Sequence, residues 1–85
     1  MAGKAKYDQL FVDTFLIDES QLDHNLTYQS VPAWDSVGHM SLMAGLEDEF
    51  GIELDADDIV DFESYEKGIL ILEKYGVAIG KQEMN

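Results

Sequence analysis

The sequence predicts an all-α protein: a small four-helix bundle of three main helices and one short one, with a long loop between the first two. Three observations point that way. Apolar residues recur every three to four positions in three separate segments, the spacing of a buried helix face. Strand signals are almost absent, since the candidate Gly51–Leu54 (GIEL) is too short to anchor a sheet. Hydrophobic residues make up 46% of the 85 positions, enough for a core despite a net charge of −13. An acidic disordered chain lacks that apolar fraction.

The elements follow in order. Tyr7, Leu10, Phe11, Thr14 and Phe15 share one face of a first helix from about Lys4 to Ile17. From Asp18 to Ala33 the periodicity lapses, and Asp, Ser, Asn, Gln and the single Pro, Pro32, predict a long loop. A loop of this length needs anchoring within a compact domain, and Leu22, Leu26, Tyr28 and Val31 are placed to tuck under it. A second helix spans Ser36 to Phe50, with Asp35 or Ser36 as its cap and Gly51 where a left-handed terminus is wanted. Its apolar residues fall into two stripes. Leu42, Met43, Leu46 and Phe50 form a core face, whereas Val37, Met40 and Ala44 form a second face bordered by Glu47 and Asp48. A helix on the outside of a small bundle needs one buried face, so the second stripe reads as a docking patch.

A short third helix covers Asp55 to Phe62, with Ile59, Val60 and Phe62 expected to face inward. Ser64 caps a last helix from Tyr65 to Tyr75, closed by Gly76. Ile69, Leu70, Ile71 and Leu72 are apolar nearly all round, which predicts deep packing. Gly68 costs about 1 kcal/mol against Ala within a helix, which points to a close contact there. The chain reads as a single domain over residues 1–85, with a folded core of about 4–76 and a short tail at 77–85.

Composition excludes several functions. Eighteen Asp and Glu against five Lys and Arg repel phosphate backbones and anionic lipid, so nucleic-acid and membrane-surface roles are disfavoured and basic partners expected. The chain contains no Cys, and with it no thiolate nucleophile, disulfide or zinc-thiolate site. The longest unbroken apolar stretch, Ile69 to Leu72, is far too short to span a membrane, and Met1–Phe11 lacks the apolar run of a signal peptide. A cytoplasmic monomer is the expectation.

The stretch Trp34–Ile52, WDSVGHMSLMAGLEDEFGI, carries the chemistry. It resembles the acyl carrier protein family, with Asp35-Ser36-Val37 in the place of that family's Asp-Ser-Leu attachment motif. The likeness includes the long loop before the motif, the helix ending in LEDEFGIEL, the short acidic segment and the final apolar helix. It covers about Lys4 to Gly76.

The resemblance implies a carrier without catalytic residues of its own. A phosphopantetheinyl transferase would move 4′-phosphopantetheine from coenzyme A, with Mg²⁺, onto the Ser36 hydroxyl. The arm's thiol would hold an acyl group as a thioester and deliver it to acyl-activating, acyltransferase or synthase enzymes with basic docking patches. Asp35, Val37, Met40, Ala44, Glu47 and Asp48 would be read by those partners. The residues themselves agree with this, because a serine at a helix start is reachable and the helix dipole tolerates a phosphodiester there.

The sequence departs from the family pattern in places. Val37 replaces the usual Leu, Gly38 implies a loose first turn, and Ser41 stands where many fatty-acid carriers have an acidic residue. Trp34 before the motif looks more like carriers of specialised biosynthetic pathways and modular synthases. Two rivals stand beside acyl carriage: an aminoacyl or peptidyl carrier, and an unmodified acidic helical adaptor for a basic protein, in which Ser36 is an ordinary cap.

Other constellations fail. His39 projects toward the core as a packed or hydrogen-bonded structural residue, and His24 lies in the loop facing solvent. Neither has ligands at metal-binding spacing. Ser36 and His39 lie three residues apart on the second helix, with no oxyanion hole in view for a hydrolase. In Asp55–Asp61 the fifth and sixth positions hold Ile59 and Val60, where a calcium loop wants an oxygen ligand and Gly.

Overall fold

Aromatic rings set the core. The computed structural model describes residues 2–77 and 79. Four α-helices run in the order α1 (Ala2–Phe15), α2 (Ser36–Phe50), α3 (Ala56–Asp61) and α4 (Tyr65–Lys74). The described residues include no strand, only a single bridge pairing Thr27 with Ser64. Mostly helical structure is therefore established.

The face of α1 read from the sequence packs inward: Tyr7 and Phe11 are fully buried, and Phe15 nearly so. Tyr7 and Phe11 lie 4.9 Å apart between ring centroids, and Phe11 meets the Trp34 ring edge-on at 5.6 Å. Phe15 stacks on Trp34 at 4.9 Å. α1 packs mainly along α2, whose Leu42, Met43 and Leu46 are buried as expected. Leu26, Leu54, Phe62, Ile71 and Leu72 complete the cluster.

A polar clasp joins α1 to α4. The Tyr7 hydroxyl donates to the Tyr65 carbonyl at 2.6 Å, and the Tyr65 hydroxyl donates to Asp8 at 2.5 Å. Lys4 donates to Asp8 at 2.9 Å and to the Tyr65 hydroxyl at 3.2 Å. Burial, reinforced by the hydrogen bond to Asp8, pushes the Tyr65 phenol up to about 12, so it remains a donor at any physiological pH.

The long loop is tied down by backbone. Tyr28 N–H donates to the Glu63 carbonyl at 2.8 Å and Tyr65 N–H to the Leu26 carbonyl at 2.9 Å, fixing the loop against the α3–α4 junction. Leu26 is buried, while Leu22 and Val31 pack partly against the core. One turn of 3-10 helix, Glu19–Gln21, interrupts the loop.

Several expectations need correction. α1 stops at Phe15, not Ile17, because Leu16 turns left-handed (φ 56°) and its side chain is exposed. Val60 does not face inward; it is 76% exposed. Ile59, about 100° round the helix from it, packs partly against the core. Leu70 is likewise exposed, and α4 buries Tyr65, Gly68, Ile71 and Leu72 instead of its whole circumference. Gly68 is the close contact foreseen, since a Cβ there would collide with the Phe62 ring and the Tyr7 hydroxyl. The packed region passes residue 76, with Ile79 fully buried; the tail expected at 77–85 otherwise lies largely outside the described residues.

Candidate functional site

The site is built where the loop meets α2. Asp35, in extended conformation, caps the helix: its Oδ1 accepts from Gly38 N–H at 2.9 Å. A carboxylate at that position satisfies one of the orphan amides of the first turn and complements the helix dipole. The cap therefore belongs to Asp35, leaving the Ser36 hydroxyl without a capping role. Ser36 is the first residue of the helix and is exposed.

Gly38 explains the tightness of this start. A Cβ at Gly38 would collide with the Ala33 carbonyl oxygen, which is backbone and has nowhere to move. Gly38 therefore has a steric reason that the sequence did not reveal. Glycine here lets the incoming loop cross directly over the helix. Trp34, fully buried between Phe11 and Phe15, pins the same crossing from below.

Beside Ser36 lies a largely apolar pocket of about 330 Å³ between α2 and the α3–α4 junction. Ser36, His39 and Met40 contribute from α2, Tyr28 from the loop, and Ile59, Val60, Phe62 and Glu63 from the opposite wall. His39 crosses this gap. Its Nδ1 accepts from the Trp34 indole N–H at 3.0 Å, and its Nε2 lies 2.8 Å from the Ile59 carbonyl oxygen. An indole nitrogen only donates and a carbonyl only accepts, so the ring that satisfies both is the neutral tautomer protonated on Nε2.

The recognition stripe is partly gathered here. Val37 is 74% exposed and Met40 54% exposed, with Ala44 exposed on the same side of α2. Met40 alone of the three lines the pocket. Asp48 is exposed and carries no ion pair among the described residues. Glu47 is different: it is half-buried, and its Oε2 accepts from Leu54 N–H at 2.8 Å. Its neighbour Glu49 pairs with Lys6 across to α1 at 3.2 Å. His24 is exposed in the loop.

Tyr28, Ile59, Val60, Phe62 and Glu63 are site residues that sequence reasoning missed. Their grouping depends on how α3 leans on α2, for which no local signal exists.

Among the described residues no helix is long and apolar enough to cross a membrane, and no cluster of His, Asp and Glu is arranged to hold a metal ion. No protein-family model, no curated protein and no solved structure matches this chain.

Proposed function

We propose that this protein is an acyl carrier, a four-helix bundle that bears 4′-phosphopantetheine on Ser36 and presents thioester-linked acyl groups to enzymes of a specialised biosynthetic pathway. The supporting observation is the exposed Ser36 hydroxyl, relieved of capping by Asp35 and set at the rim of an apolar pocket. A serine kept only as a helix cap would accept the first-turn amide itself, as Ser64 does from Lys67 N–H at 3.0 Å at the start of α4.

The residues present fit the group. A phosphodiester on Ser36 Oγ would lie by the amides of the first turn of α2, where anions are favoured. The pantetheine thiol supplies the acyl attachment that a chain without Cys cannot. The chain's own part is to hold Ser36 in reach, to offer Val37, Met40 and Ala44 as an apolar contact, and to steer basic partners with Asp35 and Asp48. Steering of this kind raises association rates and fades as salt shortens the Debye length to about 8 Å at physiological strength. The chemistry on the load belongs to the partner enzymes, and the carrier itself is not an enzyme. Function as a cytoplasmic monomer is part of the same reading.

Intact-mass measurement tests it. Incubated with a broad-specificity phosphopantetheinyl transferase, coenzyme A and Mg²⁺, the protein is expected to gain the mass of one phosphopantetheine. Ser36→Ala should gain none. An unchanged mass in the first case, or equal gains in both, would leave only an acidic helical adaptor.

A further inference from the structure

We propose that His39 is a positioning residue for the pocket beside Ser36, a clamp that ties both the loop and α3 to α2 and keeps its hold on the loop only while its imidazole is neutral. The inference concerns the pocket walls and stands whether or not Ser36 is modified. If Ser36 is modified, the clamp sets the opening that the arm and its load meet.

Both of the ring's partners lie on other elements. Trp34 belongs to the loop and its indole is fully buried; the Ile59 carbonyl belongs to α3. The imidazole thus bridges three segments at the pocket wall, packed edge-on against Tyr28 at 5.5 Å and Phe62 at 6.2 Å between centroids. A proton added to Nδ1 places two donors face to face. The Trp34 N–H then loses its acceptor inside the core, and a buried unsatisfied donor is costly. The Ile59 bond survives protonation, so the loop is released first.

Tyr28 from the loop and Glu63 beyond α3 line the same pocket, and the Asp35 carboxylate, at the N-cap that precedes α2, is engaged by Gly38 N–H. None of the three hydrogen-bonds the imidazole. No α1 residue lines the pocket. Between pH 8 and 5.5, histidine is the side chain that ordinarily changes charge.

Trp34 is the only tryptophan, so a single indole N–H resonance reports the clamp. The experiment follows its exchange protection from pH 8 to 5.5 in the full chain, relative to the intrinsic indole rate. His39 and His24 ring shifts and the Met40, Ile59 and Val60 methyl resonances are recorded alongside. Protection is expected to fall about tenfold on the acid side, with the midpoint of the His39 ring and the pocket methyls, not that of His24.

In His39→Asn, an Oδ1 stands in for Nδ1 and does not protonate in this range, so indole protection should become flat with pH. Protection that stays level while His39 titrates overturns the proposal. So does an acid-side loss that persists in His39→Asn, because the carboxylates are then its cause. Should the variant fail to fold, the wild-type titration decides alone.

Discussion

The two sides of this small domain are closed by different means. Between α1 and α4, rings fill the space: Tyr7, Phe11 and Tyr65 stand within 5.3 Å of one another between centroids, and Gly68 lets Phe62 and Tyr7 press against the backbone of α4. The Tyr65–Asp8–Lys4 clasp seals the edge. Between α2 and α3, one imidazole spans the gap, and about 330 Å³ remains open beside Ser36. Close packing resists deformation, because every displaced atom loses contacts. A gap bridged by a few directional bonds can widen at the cost of those bonds alone. Rigidity thus lies on the side remote from Ser36, and adaptability on the side of the pocket.

The largest expected effect breaks the rigid side. Phe11→Ala removes a fully buried ring that touches Tyr7, Phe15, Trp34, Phe62 and Tyr65. A loss of about 3–5 kcal/mol is expected. For a domain of this size that is a fall in Tm of well over ~10 °C. Met40→Ala on the pocket side should stay within about 0.5 kcal/mol, since the side chain is more than half exposed. Thermal melts of the two variants side by side decide the matter, and equal losses would erase the distinction.

How far this was legible from sequence follows from the same distinction. The helix boundaries of α2 were readable because their causes are local: Asp35 caps the start, and Gly51 ends it at φ 64°. The inward face of α1 was readable from spacing alone. Trp34 was read only as a clue to class, yet it is a fully buried core ring, because nothing local says that the loop crosses α2 at Gly38. His39 was rightly placed as a hydrogen-bonded residue, but its partners lie five and twenty positions away. The pocket was invisible for the same reason. Contacts between elements that no periodicity links are what the sequence conceals.

Asp58 is a second concealed contact, and it sharpens the comparison with an intermediate effect. One of three aspartates in a run of four residues, it is nearly buried between α3 and α4. Lys74 donates to it at 2.6 Å and the Tyr75 hydroxyl at 2.5 Å. The Lys74 hydrogen bond first, then that of Tyr75, holds its carboxyl below the ordinary 3.8. A depressed value in the folded state means that its stabilisation is complete above about pH 4 and is lost as the pH falls through the depressed value. Asp58→Asn should therefore lower the urea midpoint at pH 7, with the gap to wild type shrinking on acidification below pH 4. A gap that stays constant down to pH 2 would show that the charge of Asp58 is not what ties α4 to α3.

The smallest effect separates two adjacent carboxylates on α2. Sequence alone gave Glu47 and Asp48 the same duty, an acidic rim for basic partners. The structure divides them, since Glu47 accepts from Leu54 N–H and so holds the turn that follows Gly51, while Asp48 reaches solvent. Glu47→Ala should cost roughly 1 kcal/mol of stability, the usual worth of such a bond. Glu47→Gln, which keeps an acceptor oxygen, should recover most of it. Asp48→Asn should leave stability within about 0.5 kcal/mol. It should instead slow modification of Ser36 by a transferase roughly twofold at low salt, with the difference vanishing as salt is raised. The measurements are urea melts for Glu47 and initial rates at two ionic strengths for Asp48. A stability loss at Asp48 would return it to the scaffold. A salt-independent rate change would mean that it acts by contact and not by field, and in either case the adaptable side would owe less to charge than its composition suggests.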